Sequence, residues 1–583
     1  CQSLVTIIYM RLIVVLLAFL PPTSALYRTI TTDYGTIRGV EYVTQVGFKA
    51  EIYKKVPYAK PPIGNLRYQK PRVVDKWNGT VDGTVFGPSC AQRTARHPDY
   101  PPGTSEDCLH LNVYTSAECR AKLCPVIYYT HGGLVLFDTP LMYEDNLIAH
   151  NFPYRGVVFV SVGYRLGPFG VLYLGDENAI PSNLALHDTV AGLQFTRSQI
   201  HHFGGDKDRI TIMGHSSGAS MTAAMAFSPG ISPPNQPTLF NQAALLSMPS
   251  PFVSTDLQMS RSRLFAKALG CGGSAFEIVD CLKTKTTEEL LSTEFAVGGT
   301  DPMGQQNIQG LVLSGELLPI RSSSDMLANT RPFRLILGTT IKEMDFSGSA
   351  DRVLGSNEVL DILGVKNEKE CYAKYFTDRT TKKFDPGYST RSQAIYIMNW
   401  LFGKAQAEAG GEVFLYQYDY PVHPYHTDDL SYIVGIHAFP KDVNERFLSR
   451  VYPVYFTNFA KGDVPAPDWS LLNPEMMNYY SVNKSFADNV TPTMKIGYQA
   501  QVADYYIKDI LPFDLEVSLY KLNKSENIVY HKLELASNMY GTSSSIVPVV
   551  GILTLLAIAS VASVLVTVYI RRRKQRQDYL TIE

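Results

Sequence analysis

A serine between two glycines is the strongest sign of chemistry in this chain. Residues Arg209–Ala226 read RITIMGHSSGASMTAAMA, in which a β-branched run meets a Gly-x-Ser-x-Gly turn and then a small-residue run with helical character. This pattern is typical of a nucleophile elbow, a sharp strand-to-helix turn that exposes a serine hydroxyl. Gly214 and Gly218 leave room for close approach of the backbone. We therefore predict that Ser216 is a nucleophile at the apex of the turn.

Three further apolar runs predict the strands that must position partners for this serine. They are Pro125–Thr130, Phe333–Leu337 and Val413–Tyr418. A glycine pair follows the first strand, two carboxylates follow the second and two histidines follow the third. The order serine, acid, histidine is that of α/β-hydrolases and differs from the orders in chymotrypsin and subtilisin. The sequence therefore predicts an α/β-hydrolase fold, with a central, mostly parallel sheet flanked by helices.

Five motifs occur in the order that they have in one enzyme family. They are VPYAKPPIGNLRYQKP (Val56–Pro71), SEDCLHLNVY (Ser105–Tyr114), YRLGPFG (Tyr164–Gly170), FGGDKDRITIMGHSSGAS (Phe203–Ser220) and HTDDLSYIVG (His426–Gly435). With these motifs the chain resembles the type-B carboxylesterase and cholinesterase family over nearly its whole extracellular length. The resemblance implies the α/β-hydrolase fold and a serine esterase with a Ser-His-Glu triad.

Two histidines compete for the role of general base. A serine hydroxyl is a poor nucleophile at neutral pH, and an imidazole has the pKa suited to taking its proton and returning it. His426 begins the segment that matches the histidine loop of the family, whereas His423 lies between a valine and a proline in PVHP. We predict that His426 is the base and that His423 is an exposed loop histidine.

Two carboxylates compete for the role of the triad acid, which holds the imidazole tautomer and stabilises the imidazolium. Glu343 follows Gly338 by five residues, where the family places its acid, and Asp345 lies two residues further on. The glycine that usually follows the acid is Met344 in this chain. We favour Glu343 because the register from Gly338 is intact.

The oxyanion hole is expected to consist of the backbone N–H groups of Gly133, Leu134 and Ser217. Members of the family usually carry a third glycine where this chain has Leu134, and leucine disfavours positive φ. Either the loop keeps its place and the leucine crowds the acyl pocket, or one donor is lost. Loss of one donor costs about 2.7–4 kcal/mol, a factor of about 10² to 10³ in rate.

Two further substitutions lie on either side of the nucleophile. His215 replaces the acidic residue usual in the family, and Ser217 replaces a small apolar residue. Neither change removes a backbone donor. We interpret His215 as a modest specificity difference without a catalytic role.

The composition is that of a globular enzyme. The 583 residues are 45% hydrophobic and 18% charged, with 53 basic and 54 acidic side chains. This balance offers no basic surface for a polyanion, so a nucleic-acid partner is not expected. The five family motifs together indicate a single catalytic domain. We expect neither a cofactor nor a metal, and the composition leaves the oligomeric state open.

The start of the chain predicts a signal region that covers residues 1–25, with Met10 as its start. An apolar run follows Met10 and Arg11, and Thr23 and Ala25 occupy the −3 and −1 positions of a cleavage site.

The end of the chain predicts one transmembrane helix. Ile546–Ile570 is uncharged and mostly apolar, and as a helix it would span about 37 Å against a hydrocarbon core of about 30 Å. The basic run Arg571–Lys574 follows at once, which predicts a type I orientation with the catalytic domain outside the cell or in a lumen. The expected segments are a signal region (1–25), a hydrolase domain (26–530), a stalk (531–545), a transmembrane helix (546–570) and a cytosolic tail (571–583).

Cysteines and sequons agree with an oxidising compartment. The family resemblance implies the pairs Cys90–Cys108 and Cys271–Cys281, and Cys119 with Cys124 would close a short extra loop. Cys371 remains, either as a buried thiol or as one half of an intermolecular bridge. Glycosylation is predicted at the sequons of Asn78, Asn483, Asn489 and Asn523.

The substrate class is only partly indicated. Cholinesterases carry a tryptophan between their first paired cysteines to stack a quaternary ammonium, but in Ala91–Asp107 the only aromatic residue is Tyr100. Hydrolysis of acetylcholine is therefore disfavoured. The main interpretation is a membrane-anchored serine esterase that forms an acyl-enzyme on Ser216. The alternatives are an acyltransferase that uses a small hydroxyl acceptor and a neuroligin-like adhesion ectodomain without turnover.

The cytosolic tail contains one sorting pattern. Tyr579 and Ile582 form a Tyr-x-x-apolar motif close to the predicted membrane helix, similar to the signals of lysosomal membrane proteins. A short extended peptide of this kind can bind adaptor pockets by β-augmentation. The pattern predicts cytosolic adaptors as partners, and it leaves the plasma membrane and lysosome-related organelles as alternative locations.

Overall fold

The computed structural model describes most of the predicted hydrolase domain. The described residues are 26–93, 103–233, 236–250, 252–298, 307–328, 330–345 and 358–524. The predicted signal region, stalk, transmembrane helix and sorting motif lie outside them. None of the helices within the described residues combines the length and the apolar character that a membrane crossing requires.

In the described part of the chain, the first seven strands precede the first α-helix, and strands and helices are interspersed after that. The strands are β1 (Tyr27–Thr31), β2 (Thr36–Val43), β3 (Lys49–Pro57), β4 (Thr80–Asp82), β5 (Ser89–Cys90), β6 (Thr104–Ser105), β7 (His110–Thr115), β8 (Cys124–Thr130), β9 (Val158–Val162), β10 (Gly205–His215), β11 (Gln242–Leu246), β12 (Phe252–Val253), β13 (Leu311–Val312), β14 (Arg334–Thr340), β15 (Val413–Tyr418), β16 (Tyr479–Val482) and β17 (Thr493–Lys495).

The α-helices are α1 (Ala117–Lys122), α2 (Asp145–Asn151), α3 (Gly167–Gly170), α4 (Leu184–Gln199), α5 (Ser217–Phe227), α6 (Thr255–Ala268), α7 (Ala275–Lys283), α8 (Thr287–Gly298), α9 (Ser323–Ala328), α10 (Glu358–Leu363), α11 (Glu368–Thr380), α12 (Thr390–Glu408), α13 (Leu430–Ile433), α14 (Val443–Lys461) and α15 (Ala500–Asp504). A π-helical turn, Tyr505–Ile510, follows α15. The described residues up to Ile510 belong to one compact unit, and the helical residues 511–524 belong to a second.

One large sheet organises the described part of the catalytic unit. Its strand order is β1-β2-β3-β7-β9-β8-β10-β11-β14-β15-β16-β17, and β4 pairs with β2. The strands from β9 to β16 in this order are parallel, and the strands on either side of them in this order pair antiparallel. The additional strand β4 pairs parallel with β2. This mostly parallel sheet with flanking helices is the α/β-hydrolase-like architecture that the sequence predicted.

The apolar runs form the central strands because both faces of the sheet are covered. In β8, β11 and β15 every residue is buried, as expected for parallel strands between two layers of helices. The structure confirms the three strands that the sequence predicted next to the site, with β8 and β14 differing from the predicted bounds by one to three residues.

The carboxyl ends of four parallel strands meet at one edge of the sheet. The glycine loop follows β8, Ser216 follows β10, Glu343 follows β14 and His426 follows β15. Side chains after neighbouring parallel strands converge at such an edge, which is where open α/β sheets bind ligands. The topology therefore places the predicted site residues together.

The predicted disulfides, the remaining cysteine and the sequon asparagines all lie within the described residues. The three predicted disulfides, Cys90–Cys108, Cys119–Cys124 and Cys271–Cys281, are present. Cys371 is fully buried in α11, whereas an intermolecular bridge would need it at the surface. Of the four sequon asparagines, Asn78, Asn489 and Asn523 are exposed and Asn483 is half-buried.

Candidate active site

Ser216 lies in a strained turn between β10 and α5. Its φ is 56° and its ψ is −132°, a backbone conformation that costs a non-glycine residue on the order of 1–3 kcal/mol. The Ser216 N–H donates a 3.0 Å hydrogen bond to the carbonyl of Leu246 at the end of β11. The neighbouring strand thus helps to hold the serine in the geometry of a nucleophile elbow.

The two glycines of the motif are required by close backbone contacts. A Cβ at Gly214 would lie 2.3 Å from the carbonyl oxygen of Gly218. A Cβ at Gly218 would lie 2.2 Å from the carbonyl oxygen of Thr130 and 2.3 Å from that of His131. Any other residue at either position would push α5 away from β8 and β10.

His426 connects the serine to a buried carboxylate. Its Nε2 is 2.8 Å from Ser216 Oγ, and its Nδ1 is 2.5 Å from Glu343 Oε2. Ser216 and His426 are each 8% exposed and Glu343 is 0% exposed. With the Nδ1–H donating to the carboxylate, the lone pair on Nε2 faces the serine hydroxyl, which is the tautomer that a general base needs.

Backbone hydrogen bonds fix the loop that carries the acid to the loop that carries the histidine. The His426 N–H donates to the Glu343 carbonyl at 2.8 Å, and the Lys342 N–H donates to the Pro424 carbonyl at 3.0 Å. The second carboxylate oxygen of Glu343 accepts from the Thr340 N–H at 2.8 Å. The carboxylate therefore has a partner on each oxygen and little freedom to rotate.

Asp345 and His423, the alternative candidates for the acid and the base, have other partners. Asp345 Oδ1 accepts from the Ser389 N–H at 2.7 Å, and burial raises the pKa of this carboxyl. His423 Nδ1 is 2.5 Å from Glu445 Oε1, and its ring stacks on Phe439 with 3.7 Å between centroids. The structure thus brings Ser216, Glu343 and His426 together, and it gives Asp345 and His423 separate contacts. The prediction of an exposed His423 was wrong, because Glu445 and Phe439 cover part of its ring.

The glycine loop after β8 turns through three consecutive residues with positive φ. The angles are 89° at Gly133, 61° at Leu134 and 57° at Val135. A Cβ at Gly132 would lie 3.0 Å from Ser216 Cβ, so this loop lies directly against the nucleophile. Leu134 therefore adopts the left-handed conformation that glycine prefers, at a cost on the order of 1–3 kcal/mol.

Three backbone donors of this region remain available. Among the described residues, none accepts a hydrogen bond from the N–H groups of Gly133, Leu134 or Ser217. Ser217 is the first residue of α5, where a backbone N–H has no partner within its own helix. The predicted oxyanion-hole donors thus lie beside the serine without an internal partner.

His215 lies beside the base. Its ring centroid is 4.7 Å from that of His426, and its buried Nε2 has no hydrogen-bond partner among the described residues. Burial lowers the pKa of His215 well below its ordinary value, with a smaller contribution from His426. His215 is therefore neutral at neutral pH, and it brings no charge to the position before the nucleophile.

Sequence reasoning missed two side chains near the site. Ser217 Oγ accepts a hydrogen bond from the Val135 N–H at 3.1 Å. Asp429 is 0% exposed and accepts from the Tyr452 hydroxyl at 2.7 Å. Burial raises the pKa of Asp429 to about 7, and the nearby charge of Glu343 acts in the same direction. The only signal for Asp429 was its place three residues after His426 in HTDDLSY.

The fold and the site together define an α/β-hydrolase-like protein, and comparison with known proteins gives the family. A model of the carboxylesterase family matches residues 27–505. The chain belongs to the carboxylesterase family.

Named relatives are esterases from animals and bacteria. The chain is 29% identical to gut esterase 1 of Caenorhabditis briggsae over 58% of this chain and 58% of that protein. It is 28% identical to carboxylesterase 1D of Rattus norvegicus over 76% and 87% of the two chains. It is 31% identical to the para-nitrobenzyl esterase of Bacillus subtilis over 70% and 83%. The match to gut esterase 1 therefore spans little more than half of that protein.

The burial of Asp429 leads to a testable prediction about the pH dependence of stability. Its pKa is about 7 in the folded protein and about 4 in an unfolded chain. Between these values the folded state retains a proton that the unfolded state has released, so this group lowers the free energy of unfolding as pH rises through that window. Asp429→Asn cannot titrate. We expect the Tm of the variant, relative to wild type, to increase from pH 5 to pH 7 and then to level off.

The exposed Asp463 provides the matched control. Asp463→Asn makes the same exchange of a carboxylate for an amide at the surface, so it reports the effect of the lost charge on the Tm. A difference between Asp429→Asn and wild type that is constant from pH 5 to pH 8 would contradict the assignment of a raised pKa to Asp429.

Proposed function

We propose that this protein hydrolyses carboxylic esters through an acyl-enzyme on Ser216. The observation that carries the proposal is the imidazole of His426, whose two nitrogens lie 2.8 Å from Ser216 Oγ and 2.5 Å from Glu343 Oε2. Membership of the carboxylesterase family supports the same reaction class. Buried side chains in this order form the nucleophile, base and acid of a serine hydrolase.

Acylation begins when Ser216 Oγ attacks the carbonyl carbon of the ester and its proton passes to His426 Nε2. The carboxylate of Glu343 stabilises the imidazolium that forms. The resulting tetrahedral intermediate collapses, its bond to the alcohol oxygen breaks, and the alcohol leaves with the proton from His426. Water then repeats the sequence on the acyl-enzyme, so the acid is released and Ser216 regains its proton.

The negative charge on the carbonyl oxygen is stabilised by backbone donors. We assign this role to the N–H groups of Gly133, Leu134 and Ser217. They lie on a loop packed against the nucleophile and at the start of α5, and they have no other acceptor among the described residues. Donors fixed in advance are effective because they need no reorganisation as charge develops.

The environment of the nucleophile favours esters without a cationic alcohol. His215 is neutral in the position next to Ser216, and tryptophan is absent from the sequence between Cys90 and Cys108. A quaternary ammonium would thus lack both a carboxylate at residue 215 and an indole face in this segment. We propose neutral carboxylic esters as the substrate class.

A purely adhesive role does not explain the site. Adhesion requires neither a strained serine nor an imidazole within hydrogen-bonding distance of its hydroxyl. Strain of this kind persists only where the surrounding structure enforces it, and it is typical of active sites.

The proposal predicts which carboxylate and which histidine the reaction needs. His426→Ala removes the base, and Glu343→Gln removes the charge that stabilises the imidazolium. We expect each change to lower kcat for p-nitrophenyl acetate about 10⁴-fold, as the loss of the acid does in other triads. Steady-state kinetics on the purified protein gives the measurement.

The residues with separate contacts serve as matched controls. His423→Ala and Asp345→Asn remove the same chemical groups two or three residues away along the same loops. We expect kcat to stay within about fivefold of wild type for both variants, because the hydrogen bonds of these side chains go to Ser389 and Glu445 and not to the triad. Equal losses for Asp345→Asn and Glu343→Gln would refute the assignment of the acid.

We also propose that the protein is a glycosylated, single-pass type I membrane protein that is sorted through its tail. Four sequence features support this proposal: the predicted signal region, four sequons, the apolar run of 546–570 and the basic run that follows it. The Tyr579 motif would then face cytosolic adaptors, which would route the enzyme to lysosome-related organelles.

The sorting proposal is tested in cells that express the tagged full-length chain. Tyr579→Ala should raise the amount at the cell surface, measured by surface biotinylation, because the adaptor pocket loses its tyrosine anchor. Thr581→Ala changes an open position of the motif and should distribute like wild type. An unchanged distribution of Tyr579→Ala would leave the plasma membrane as the location.

A further inference from the structure

The loop after β8 carries the N–H groups of Gly133 and Leu134, and its backbone conformation is unfavourable. Leu134 and Val135 both have positive φ, at 61° and 57°. Left-handed geometry is disfavoured for every side chain with a Cβ, and most strongly for a β-branched one such as valine. Two such residues in succession need specific contacts to hold them, because the local sequence favours a different path.

The contacts on Val135 come from outside the loop. Its N–H donates to Ser217 Oγ at 3.1 Å, and its carbonyl accepts from the Gly167 N–H at 2.7 Å. Val135 is 1% exposed and Ser217 is 7% exposed, so water is poorly placed to substitute for either bond. The N–H and the carbonyl of Val135 are therefore both hydrogen-bonded to residues outside the loop.

The bond to Ser217 differs from the bond to Gly167 because it depends on a side chain. Ser217 follows the nucleophile directly and begins α5. Its backbone N–H belongs to the proposed oxyanion hole, and its hydroxyl binds the N–H of the residue after Leu134. One residue therefore contributes one donor and holds the loop that contributes the other two.

We propose that the Ser217 hydroxyl is a positioning group that holds Leu134 in the left-handed conformation and thereby keeps the Leu134 N–H in the oxyanion hole. This inference rests on the proposed ester hydrolysis. It assigns a function to the Ser217 side chain that is separate from that of its backbone.

The inference predicts a defect in turnover and not in substrate binding. In Ser217→Ala the Val135 N–H loses its acceptor, and Leu134 relaxes toward the conformations that leucine prefers. Loss of an oxyanion donor affects the transition state, where the negative charge develops. We expect kcat for p-nitrophenyl acetate to fall about 10²-fold to 10³-fold if the donor is lost, and KM to change less than about threefold. Ser217→Thr retains a hydroxyl and should recover most of the lost activity.

A double-mutant cycle with Leu134→Gly separates positioning from a general loss of packing. Glycine adopts positive φ without penalty, so in the Leu134→Gly protein residue 134 no longer needs the Ser217 hydroxyl to hold its conformation, although Val135 keeps its own positive φ. We expect Ser217→Ala to lower kcat less than about threefold in that background. Equal losses of kcat in the wild-type and Leu134→Gly backgrounds would overturn the proposal.

Hydrogen exchange tests the same inference without relying on catalysis. The peptide that spans residues 131–139 should exchange its amide protons faster in Ser217→Ala than in wild type, and Ser217→Thr should restore the slow exchange. Ser220→Ala is the matched control, because Ser220 lies one turn further along α5 and its hydroxyl binds the Pro249 carbonyl at 3.1 Å. It should leave both kcat and the exchange of this peptide unchanged.

The two readouts distinguish failure of the inference from failure of the proposed function. A wild-type protein that turns over no ester but shows faster loop exchange in Ser217→Ala would refute ester hydrolysis and retain the positioning role. An active wild-type protein whose Ser217→Ala variant keeps both the kcat and the exchange rate of wild type would refute the positioning role alone.

Discussion

The close approach of Gly218 to the carbonyl oxygens of Thr130 and His131 is the contact on which the site depends. A Cβ at this position would lie 2.2 Å from the first oxygen and 2.3 Å from the second. The contact brings the start of α5, the end of β10 and the loop after β8 into one small volume. The nucleophile and the backbone donors are therefore adjacent because three main-chain segments pack without an intervening side chain.

The site also requires a buried carboxylate, that of Glu343, with a hydrogen-bond partner for each of its oxygens. Glu343 is fully buried, and burial of a carboxylate is costly unless hydrogen bonds replace its water. The Thr340 N–H and the imidazole of His426 provide those bonds, one to each oxygen. The same bonds orient the imidazole toward Ser216, so the contacts that make the buried charge tolerable also prepare the base. Asp429, which is also buried, has one carboxylate oxygen without a partner among the described residues and a pKa raised to about 7.

Much of this arrangement could be predicted from the sequence because it follows from local patterns. Apolar runs predicted β8, β14 and β15, and parallel strands bring the residues after their carboxyl ends together. The structure joins the serine, the histidine and the carboxylate that the sequence singled out. The roles of the Ser217 hydroxyl and of Asp429 could not be predicted, because each depends on a contact across the fold: Ser217 binds Val135, and Asp429 binds Tyr452. The sequence also left two outcomes open for Leu134, since its φ of 61° depends on the packing of the whole loop.

The central claim is that Ser216 carries the acyl group during turnover. The most direct test is to mix the purified protein with p-nitrophenyl acetate, quench the reaction with acid during the pre-steady-state phase and map acetylation by mass spectrometry. The account predicts a burst of p-nitrophenol close to one equivalent per protein and an acetyl group on the peptide that contains Ser216. Hydrolysis of the ester with no acetyl group on Ser216, or with the acetyl group on another residue, would contradict it.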